Sequence, residues 1–384
     1  MTAPATVGVP EALLDATADQ PGARAALAAA LAAPAHAYLF AGPPGSGRRI
    51  AARAFVAELL AAGAPDPEDA RRRALADPSP HPDLVWLAPQ GTQHLVDDVR
   101  ERVIMASAYR PFEGARRAFV IEAAEAMATE AQNALLRTLE EPASFVHLVL
   151  ITSQPAAVLE TVRSRCQTIR FAPLGDAAVE ARLSQRGLGA DDGERRAAAR
   201  LAGGDADRAA FLLGDEGREL RAGARACVEA ALSGELAGRP WSGLLQAADA
   251  AGGRAGEAAR ARASALAEDA GEVEGAAARR RSREAEEASR RASRRARTEA
   301  LDLGLNLVAA WLRDLAAAGE GAEGIALNAD RTAELRTASH LDPRRARRAA
   351  ELVMETRRRL QVNVGEELAL EALLFRMEAV LRGA

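Results

Sequence analysis

The chain has 384 residues, of which 48% are hydrophobic, 27% are charged and only 3% are aromatic. A chain of this length accommodates two or three domains, and its abundance of Ala and Leu favours helices. No apolar run approaches the roughly 20 residues of a membrane span. The first twenty residues lack the basic and apolar regions of a secretory signal. We therefore expect a cytoplasmic protein that makes no membrane contact.

The composition also bears on metals and cofactors. The two cysteines, Cys166 and Cys227, lie far apart, and the five histidines are scattered along the chain. No spacing matches a disulfide framework or a zinc motif, so we expect no metal site built from protein ligands. All 50 basic residues are Arg, because the chain contains no Lys, and the net charge of −4 is unevenly distributed.

Short apolar runs alternate with helical patterns over the first 172 residues. Five of these runs have the length and composition of strands, namely 36–41, 84–88, 117–123, 146–152 and 167–171. Apolar residues recur at helical spacing in three segments between them, namely 48–63, 95–109 and 128–142. Strands that alternate with helices predict an α/β fold, with a parallel sheet flanked by helices.

The strand pattern stops after the fifth run, and helical patterns follow. We expect an α/β domain over 1–172, a small helical unit over 173–215 and a helical domain over 216–384. Residues 254–298 interrupt the last domain, because their near-absence of large apolar residues suits either a solvated helix or a disordered insert. Nine Arg and three Glu occur between residues 279 and 297. This charge is compatible with a solvated extension of a helix, or with a basic surface that binds DNA or an acidic partner.

The stretch GPPGSGRR, residues 42–49, follows the first strand and begins the next helix. Gly42, Gly45 and Gly47 match a phosphate-binding loop, in which backbone N–H groups surround the phosphates. The pattern requires Lys and then Ser or Thr, since the ammonium contacts the β- and γ-phosphates and the hydroxyl binds Mg²⁺. Arg48 and Arg49 stand at these two positions. A second cation in place of the metal ligand disfavours Mg²⁺, although the loop remains compatible with weak binding of phosphate or nucleotide.

The third strand gives an independent test of hydrolysis. A hydrolysing site needs one carboxylate for Mg²⁺ and a second one to orient the attacking water. The strand offers Glu122, but Ala123 follows it, and Glu125 lies beyond the strand end. Two separated motifs therefore predict that the chain does not hydrolyse ATP. No carboxylate pair for a two-metal polymerase site stands out either.

Five stretches occur in an order that is typical of one family: HAYLFAGPPGSGR, HPDLVWLAP, DDVRERV, AQNALLRTLEEP and TVRSRCQTIRF. Together they resemble the delta-prime subunits of the bacterial DNA polymerase III clamp loader, which are AAA+ proteins. The resemblance covers about residues 20–215 and, less closely, 340–384, but not 254–298. It implies an AAA+ P-loop domain, a small helical lid and an all-α collar domain that joins a ring of subunits.

The resemblance also implies a role without hydrolysis. In this family the gamma/tau-type motor subunits hydrolyse ATP, whereas delta-prime has a degenerate loop and acts as a stator while the sliding clamp is loaded onto primer-template DNA in replication. Arg165, in the tripeptide Ser-Arg-Cys, would reach the ATP of a neighbouring motor subunit as an arginine finger. A guanidinium delivered in trans stabilises the charge on the transferring phosphoryl group. The implied partners are the motor subunits and the delta subunit, with clamp and DNA bound through the complex.

Four further positions carry over from the family. Arg100 and Arg137 match positions that contact the DNA backbone, which requires only positive charge, although a solvated helix face is the alternative. Thr152 matches the sensor position after the fourth strand. Asp207 stands where the lid sensor would place an arginine, and an acidic residue there disfavours phosphate. Many delta-prime subunits carry a four-cysteine zinc module after the loop helix, and the lack of Cys in that region here predicts no zinc.

Two alternative functions stay open at this point. The chain could be an active, DNA-stimulated P-loop ATPase, in which case the isolated chain would turn over Mg-ATP. It could instead be a DNA-binding protein that acts through its Arg-rich insert, in which case deletion of 254–298 would abolish a DNA mobility shift.

Overall fold

The computed structural model describes residues 9–89, 93–269, 276–337, 340–360 and 365–383. By its internal contacts the chain divides into two compact units, Met1–Leu174 and Gly175–Ala384. The finer division of the second unit into a lid over 173–215 and a collar over 216–384 stays a prediction. In the described part of the chain, no helix is both long enough and apolar enough to cross a membrane.

Five parallel strands form the sheet of the first unit. They are β1 (Ala37–Ala41), β2 (Leu84–Leu87), β3 (Arg117–Ile121), β4 (Val146–Thr152) and β5 (Gln167–Arg170). Their order is β2-β3-β4-β1-β5, and Tyr38 of β1 lies opposite Val149 of β4 and Gln167 of β5. This is the strand order of an AAA+ P-loop domain, so the predicted fold class is confirmed. The loop after β1 and the ends of β3 and β4 meet at one edge of the sheet, where parallel folds bind ligands.

The strands are buried because helices cover both faces of the sheet. Every residue of β1, β3 and β4 is buried, as parallel sheets between helical layers require. Tyr38 and Phe40 pack against Phe55 on one face, while Leu39 and Leu135 belong to the core on the other face. The five apolar runs of the sequence thus become the five strands, with ends that differ from the prediction by one or two residues.

Short and long helices alternate with these strands. In the described part of the first unit they are α1 (Glu11–Ala16), α2 (Pro21–Ala32), α3 (Arg48–Ala61), α4 (Pro67–Leu75), α5 (Val96–Val99), α6 (Thr129–Glu140) and α7 (Glu160–Arg163). Asp66 begins α4 by accepting hydrogen bonds from the backbone N–H groups of Glu68 and Asp69. Single 3-10 turns cover Ala124–Ala126 and Pro155–Ala157.

The helix predicted over 95–109 is not one regular α-helix. α5 ends at Val99, a π-helical segment covers Arg100–Met105, and a 3-10 turn covers Ala106–Ala108. The apolar spacing that predicted a helix does not distinguish these three types, because each buries a residue every three to five positions. Pro111, which cannot donate a backbone hydrogen bond, then keeps the segment from continuing.

The second unit is helical wherever the structure describes it. Its α-helices are α8 (Asp176–Gln185), α9 (Asp192–Ala202), α10 (Ala206–Leu213), α11 (Asp215–Ser233), α12 (Ser242–Asp269), α13 (Ala276–Gly319), α14 (Thr332–Thr337), α15 (Pro343–Leu360) and α16 (Glu366–Arg382). α12 and α13 pack along each other, α13 also packs against α11 and α15, and α16 packs against α11 and α15.

The Arg-rich insert belongs to two of these long helices. Of the two forms that the sequence left open for 254–298, the described residues take the helical one, as the end of α12 and the beginning of α13. The middle of the insert, 270–275, lies outside the described residues.

Candidate functional site

The glycine-rich loop joins β1 to α3 and has the backbone shape of a phosphate-binding loop. A Cβ atom on Gly42 would lie 2.4 Å from the carbonyl oxygen of Phe171, so only Gly permits this approach. Gly47 has a φ of 88° and directly precedes α3, a conformation that glycine adopts at little cost. Gly45 also has a positive φ. All three glycines named from the sequence therefore shape the loop.

Arg48 binds the end of β4 instead of standing free in the loop. Its Nη1 donates a hydrogen bond to the carbonyl oxygen of Thr152, which also accepts one from the backbone N–H of Gly42 at 3.2 Å. The Thr152 side chain is fully buried, and its hydroxyl oxygen accepts from the backbone N–H of Gln154 at 3.1 Å. The predicted sensor hydroxyl is therefore used to shape its own strand end.

Arg49 forms two ion pairs where a metal ligand would be required. Its Nε lies 2.5 Å from Oε1 of Glu122, and its Nη2 lies 2.8 Å from Oδ2 of Asp77. The same Asp77 carboxylate lies 3.1 Å from Nη2 of Arg53. Burial disfavours the charge on Arg49, but Glu122 and Asp77 outweigh it through hydrogen bonds and opposite charge, and they raise the pKa of Arg49.

Trp86 lies at the centre of this group. Its ring centroid is 4.3 Å from the guanidinium carbon of Arg53 and 5.8 Å from that of Arg49, and its indole Nε1 donates to Oε1 of Glu122. Burial lowers the pKa of Arg53 despite the neighbouring carboxylates. Arg49, Arg53, Asp77, Trp86 and Glu122 together form what we call the arginine–carboxylate cluster, which ties α3 to β2 and to the end of β3.

The arginine–carboxylate cluster leaves no complete site for Mg²⁺. This ion takes oxygen ligands in near-octahedral geometry, yet the hydroxyl position is occupied by the guanidinium of Arg49 and the Glu122 carboxylate is paired with it. Arg49, which departs from the loop motif, is thus paired with Glu122, the one carboxylate that the third strand offers. Among the residues described, no group of three or more His, Cys, Asp or Glu side chains is arranged to hold a metal ion.

The nearest further carboxylate does not replace the missing second one. Ala123 occupies that position with a φ of 49°, and Glu125 lies in the following 3-10 turn. Oε1 of Glu125 accepts hydrogen bonds from the backbone N–H and the hydroxyl of Ser153. Burial raises the pKa of Glu125, but these hydrogen bonds outweigh it and hold the pKa below its ordinary value. Glu125 is thereby engaged in joining β3 to the end of β4.

Arg165 lies in the short connection between α7 and β5, at some distance along the chain from the loop. Its Nη2 is 2.5 Å from Oε1 of Glu140, at the end of α6, and its Nη1 donates to the carbonyl oxygen of Thr161 at 2.8 Å. The side chain is 36% exposed. The next residue, Cys166, is desolvated, and burial raises the pKa of its thiol to about 12.

The first unit is similar in sequence to several known proteins. A family model described as DNA polymerase III, delta subunit, matches residues 24–175. DNA polymerase III subunit delta' of Pseudomonas aeruginosa is 36% identical over 216 residues, which cover 54% of this chain and 64% of that protein. The Bacillus subtilis protein of the same name is 35% identical over 157 residues, which cover 39% of this chain and 46% of that protein. Across residues 24–175, the chain is thus similar to the delta-prime subunits of DNA polymerase III.

The delta-prime similarity is partial in length. The chain covers less than two thirds of either relative. Among solved structures, a DNA polymerase III gamma subunit-related protein from Thermotoga maritima aligns with a TM-score of 0.41 and 14% identity, over 94% of this chain and 100% of that one. The family model and the two delta' relatives confirm the resemblance that the sequence motifs indicate, within the α/β unit.

The two candidate DNA contacts of the delta-prime resemblance lie on neighbouring segments. Arg100 begins the π-helical segment, which packs against α6, the helix that carries Arg137. Both side chains are exposed. The nearest carboxylate to Arg100 is that of Asp97, at 3.9 Å, and Arg137 has no ion pair among the described residues. Contact of either residue with DNA stays a prediction. The lid candidate Asp207 is exposed, with its carboxylate 3.8 Å from Arg186.

Several residues that build these sites carry no sequence signal. Asp77 and Trp86 belong to the arginine–carboxylate cluster, and Glu140 binds Arg165. Trp86 and Glu140 lie in stretches that resemble the family, but nothing in the sequence links them, or Asp77, to these contacts. His94 donates from Nε2 to the carbonyl oxygen of Glu122 at 2.6 Å, and burial lowers its pKa. Gln20 donates to two carbonyl oxygens beside the loop, those of Ser46 and Ala172. Each is distant in sequence from its partner, so only the fold reveals the contact.

Proposed function

We propose that the chain is a non-hydrolysing delta-prime stator of a DNA polymerase III clamp loader, located in the cytoplasm, and that Arg165 acts in trans on a neighbouring motor subunit. The proposed partners are gamma/tau-type motor subunits and a delta subunit. Sliding clamp and primer-template DNA would be bound through the complex during replication. In this proposal the chain has neither ATPase nor polymerase chemistry of its own.

The observation that carries this proposal is the arginine–carboxylate cluster. Hydrolysis requires a hydroxyl and a carboxylate that both face Mg²⁺, and here those two positions hold Arg49 and Glu122, bound to each other at 2.5 Å. Mg²⁺ binding would have to break this ion pair and would place the metal beside a guanidinium. The guanidinium groups of Arg48 and Arg49 are bound by neighbouring residues of the same chain. Such a loop suits a subunit that keeps one conformation while its neighbours hydrolyse ATP.

Arg165 has the exposure and the bonding that an arginine finger requires. Its guanidinium is held by one carboxylate and one carbonyl, those of Glu140 and Thr161, and both contacts lie at the surface. An exposed ion pair contributes only about 0–1 kcal/mol, so a triphosphate, with more charge and more acceptor oxygens, would compete effectively for the same guanidinium. We propose that Glu140 holds the Arg165 side chain near the protein until the motor subunit presents its nucleotide.

The decisive experiment measures DNA- and clamp-stimulated ATP hydrolysis by the reconstituted loader that contains Arg165→Ala. An arginine finger is worth about 10³–10⁵ in kcat in well-characterised phosphoryl-transfer enzymes. We therefore expect the motor site that faces this chain to become inactive. The total rate of ATP hydrolysis should fall by the fraction that this site contributes. Gel filtration has to show an intact complex.

The matched control is Arg170→Ala. Arg170 is exposed on β5, the edge strand that follows Arg165, and has no ion pair among the described residues. Its replacement therefore changes the net charge equally while leaving Arg165 in place. Equal hydrolysis by the Arg165 variant and the wild type, in an intact complex, would remove the finger role. A loss shared by both variants would assign the effect to surface charge.

The helical second unit supports the proposed collar. It exposes large apolar side chains that include Ile325, Leu368 and Phe375, and such residues suit contacts with other subunits. Arg100 and Arg137 remain the proposed contacts to the DNA backbone. Replacement of each by Gln should weaken DNA binding by the assembled loader and make its salt dependence less steep, with little dependence on DNA sequence.

A further inference from the structure

The second unit contains a helical hairpin whose chemistry the stator role does not use. The hairpin is formed by the second half of α12 and the first half of α13. Residues 254–298 hold twelve arginines against eight acidic residues. They contain no aromatic residue and almost no large apolar one. The hairpin therefore adds charge and length to the unit but little hydrophobic core.

Small residues hold the two helices close together. A Cβ on Gly252 would lie 3.0 Å from the carbonyl oxygen of Ser293, and one on Gly256 would lie 3.2 Å from Oγ of Ser289. Ser289 is only 2% exposed, and its hydroxyl donates to the carbonyl oxygen of Gly256 at 2.9 Å. Close backbone contact of this kind gives a rigid pair of helices, so the arginines outside this seam have fixed spacing.

Ion pairs anchor the base of the hairpin to the rest of the unit. Arg297 lies 3.1 Å from Asp249 and 2.8 Å from Glu366 of α16. Arg254 is paired with Glu216 of α11. These two arginines therefore contribute to the packing of the second unit.

Most of the other arginines whose side chains the structure describes face solvent. Five exposed ones have no ion pair among the described residues, namely Arg260, Arg262, Arg281, Arg283 and Arg294. Others pair only with a residue of their own helix, such as Arg290 with Glu286 at 2.6 Å. Exposed pairs four residues apart are worth about 0.3–0.5 kcal/mol, so a polyanion can displace them. From Arg281 to Arg294 the helix rises roughly 20 Å, which sets the length of this basic surface.

We propose that the hairpin binds the phosphate backbone of duplex DNA without regard to sequence. A protein partner would need buried aromatic or apolar anchors at the interface, and 254–298 offers almost none. Single-stranded nucleic acid is bound by stacking of bases on aromatic side chains, which are absent here. A rigid pair of helices with exposed arginines suits duplex DNA, because contacts to its backbone need only positive charge at suitable spacing.

The test measures binding of a fluorescein-labelled duplex to the full chain by anisotropy, as a function of salt. If four arginines each contact a phosphate, the affinity should fall roughly 100-fold between about 50 and 200 mM salt. A variant in which Gln replaces four exposed arginines of the hairpin should lose most of this binding and most of this salt dependence. The four positions are Arg260, Arg281, Arg283 and Arg294. Gln has a helix propensity similar to that of Arg, and circular dichroism would verify the helix content.

A matched variant removes the same charge elsewhere in the unit. Its four exposed arginines also have no ion pair among the described residues, namely Arg313, Arg336, Arg344 and Arg358. We expect this variant to bind the duplex as the wild type does. Equal losses in both variants would overturn the proposal in favour of a general charge effect. The absence of binding by the wild-type chain at about 50 mM salt would overturn it too, and would leave an acidic protein as the alternative partner. Neither outcome bears on Arg165, so this proposal and the stator role fail or stand separately.

Discussion

The ion pair between Arg49 and Glu122 should contribute measurably to the stability of the first unit. The contact is short, at 2.5 Å, and the Glu122 side chain is only 21% exposed, although Arg49 is 54% exposed. Double replacement by Gln removes both charges and keeps polar side chains of comparable length. A double-mutant cycle with Arg49→Gln and Glu122→Gln isolates the pairwise energy from the effects of each single change.

The expected coupling energy follows from the exposure of the two side chains. Fully exposed pairs give about 0.2–1 kcal/mol, and partial burial of Glu122 places this pair in the upper part of that range. The hydrogen bond from Trp86 to the same carboxylate oxygen cancels in the cycle, because Gln retains an acceptor oxygen at that position. We expect a coupling of about 0.5–1 kcal/mol that decreases strongly at about 1 M salt, where charges are screened within about 3 Å.

Urea unfolding followed by Trp86 fluorescence provides the assay. The chain has three tryptophans, so a background with Trp241→Phe and Trp311→Phe reports on the first unit alone. Arg72 and Asp69 on α4 form the matched control cycle, because this pair is more exposed, at 75% and 35%, and lies three residues apart. Its coupling should be smaller than that of Arg49 and Glu122, because solvent screens an exposed pair more completely. A coupling near zero for Arg49 and Glu122 would refute the stabilising role, and one that salt leaves unchanged would refute its electrostatic origin.

Three further outcomes follow from the site. Arg48→Lys with Arg49→Thr should increase Mg-nucleotide binding in calorimetry, yet phosphate release should stay at background because Ala123 provides no carboxylate; measurable turnover would contradict this account. Cys166, whose pKa burial raises to about 12, should resist a thiol reagent at neutral pH until urea unfolds the chain, as mass spectrometry would show. Burial lowers the pKa of His94 below 6.5, so the unfolded chain binds this proton more readily. The free energy of unfolding should therefore decrease as the pH is lowered below about 6.5, and this decrease should be smaller in His94→Gln.

The sheet could be predicted from the sequence because each strand is a short apolar run between polar segments. Residues 117–123 were expected as a strand, and β3 covers Arg117–Ile121. Burial on both faces requires apolar side chains at every position, so the signal is local. The prediction of one regular helix over 95–109 was wrong. The apolar spacing could not reveal this, because α, π and 3-10 turns place apolar residues at similar intervals.

The contacts of the site could not be predicted, because they join residues that are far apart in sequence. The sequence shows that Arg49 departs from the loop motif and that Glu122 is the one carboxylate at the end of the third strand, but not that the two form an ion pair. Asp77 lies in a connection before β2, and no pattern distinguishes it from other surface carboxylates. Glu140 belongs to the stretch that resembles the family, yet its bond to Arg165 requires that α6 end beside the connection between α7 and β5.

The three glycines of the loop are weaker evidence for nucleotide binding than their number suggests. Gly42 is required because the backbone of Phe171 approaches it, and Gly47 because α3 begins from a left-handed conformation. These demands come from the packing of β1, β5 and α3, and they persist whether or not phosphate binds. Positions 48 and 49 face no such demand, so they can change once hydrolysis is no longer needed. The shape of the loop thus indicates the fold, while Arg48, Arg49 and Glu122 determine what the loop can bind.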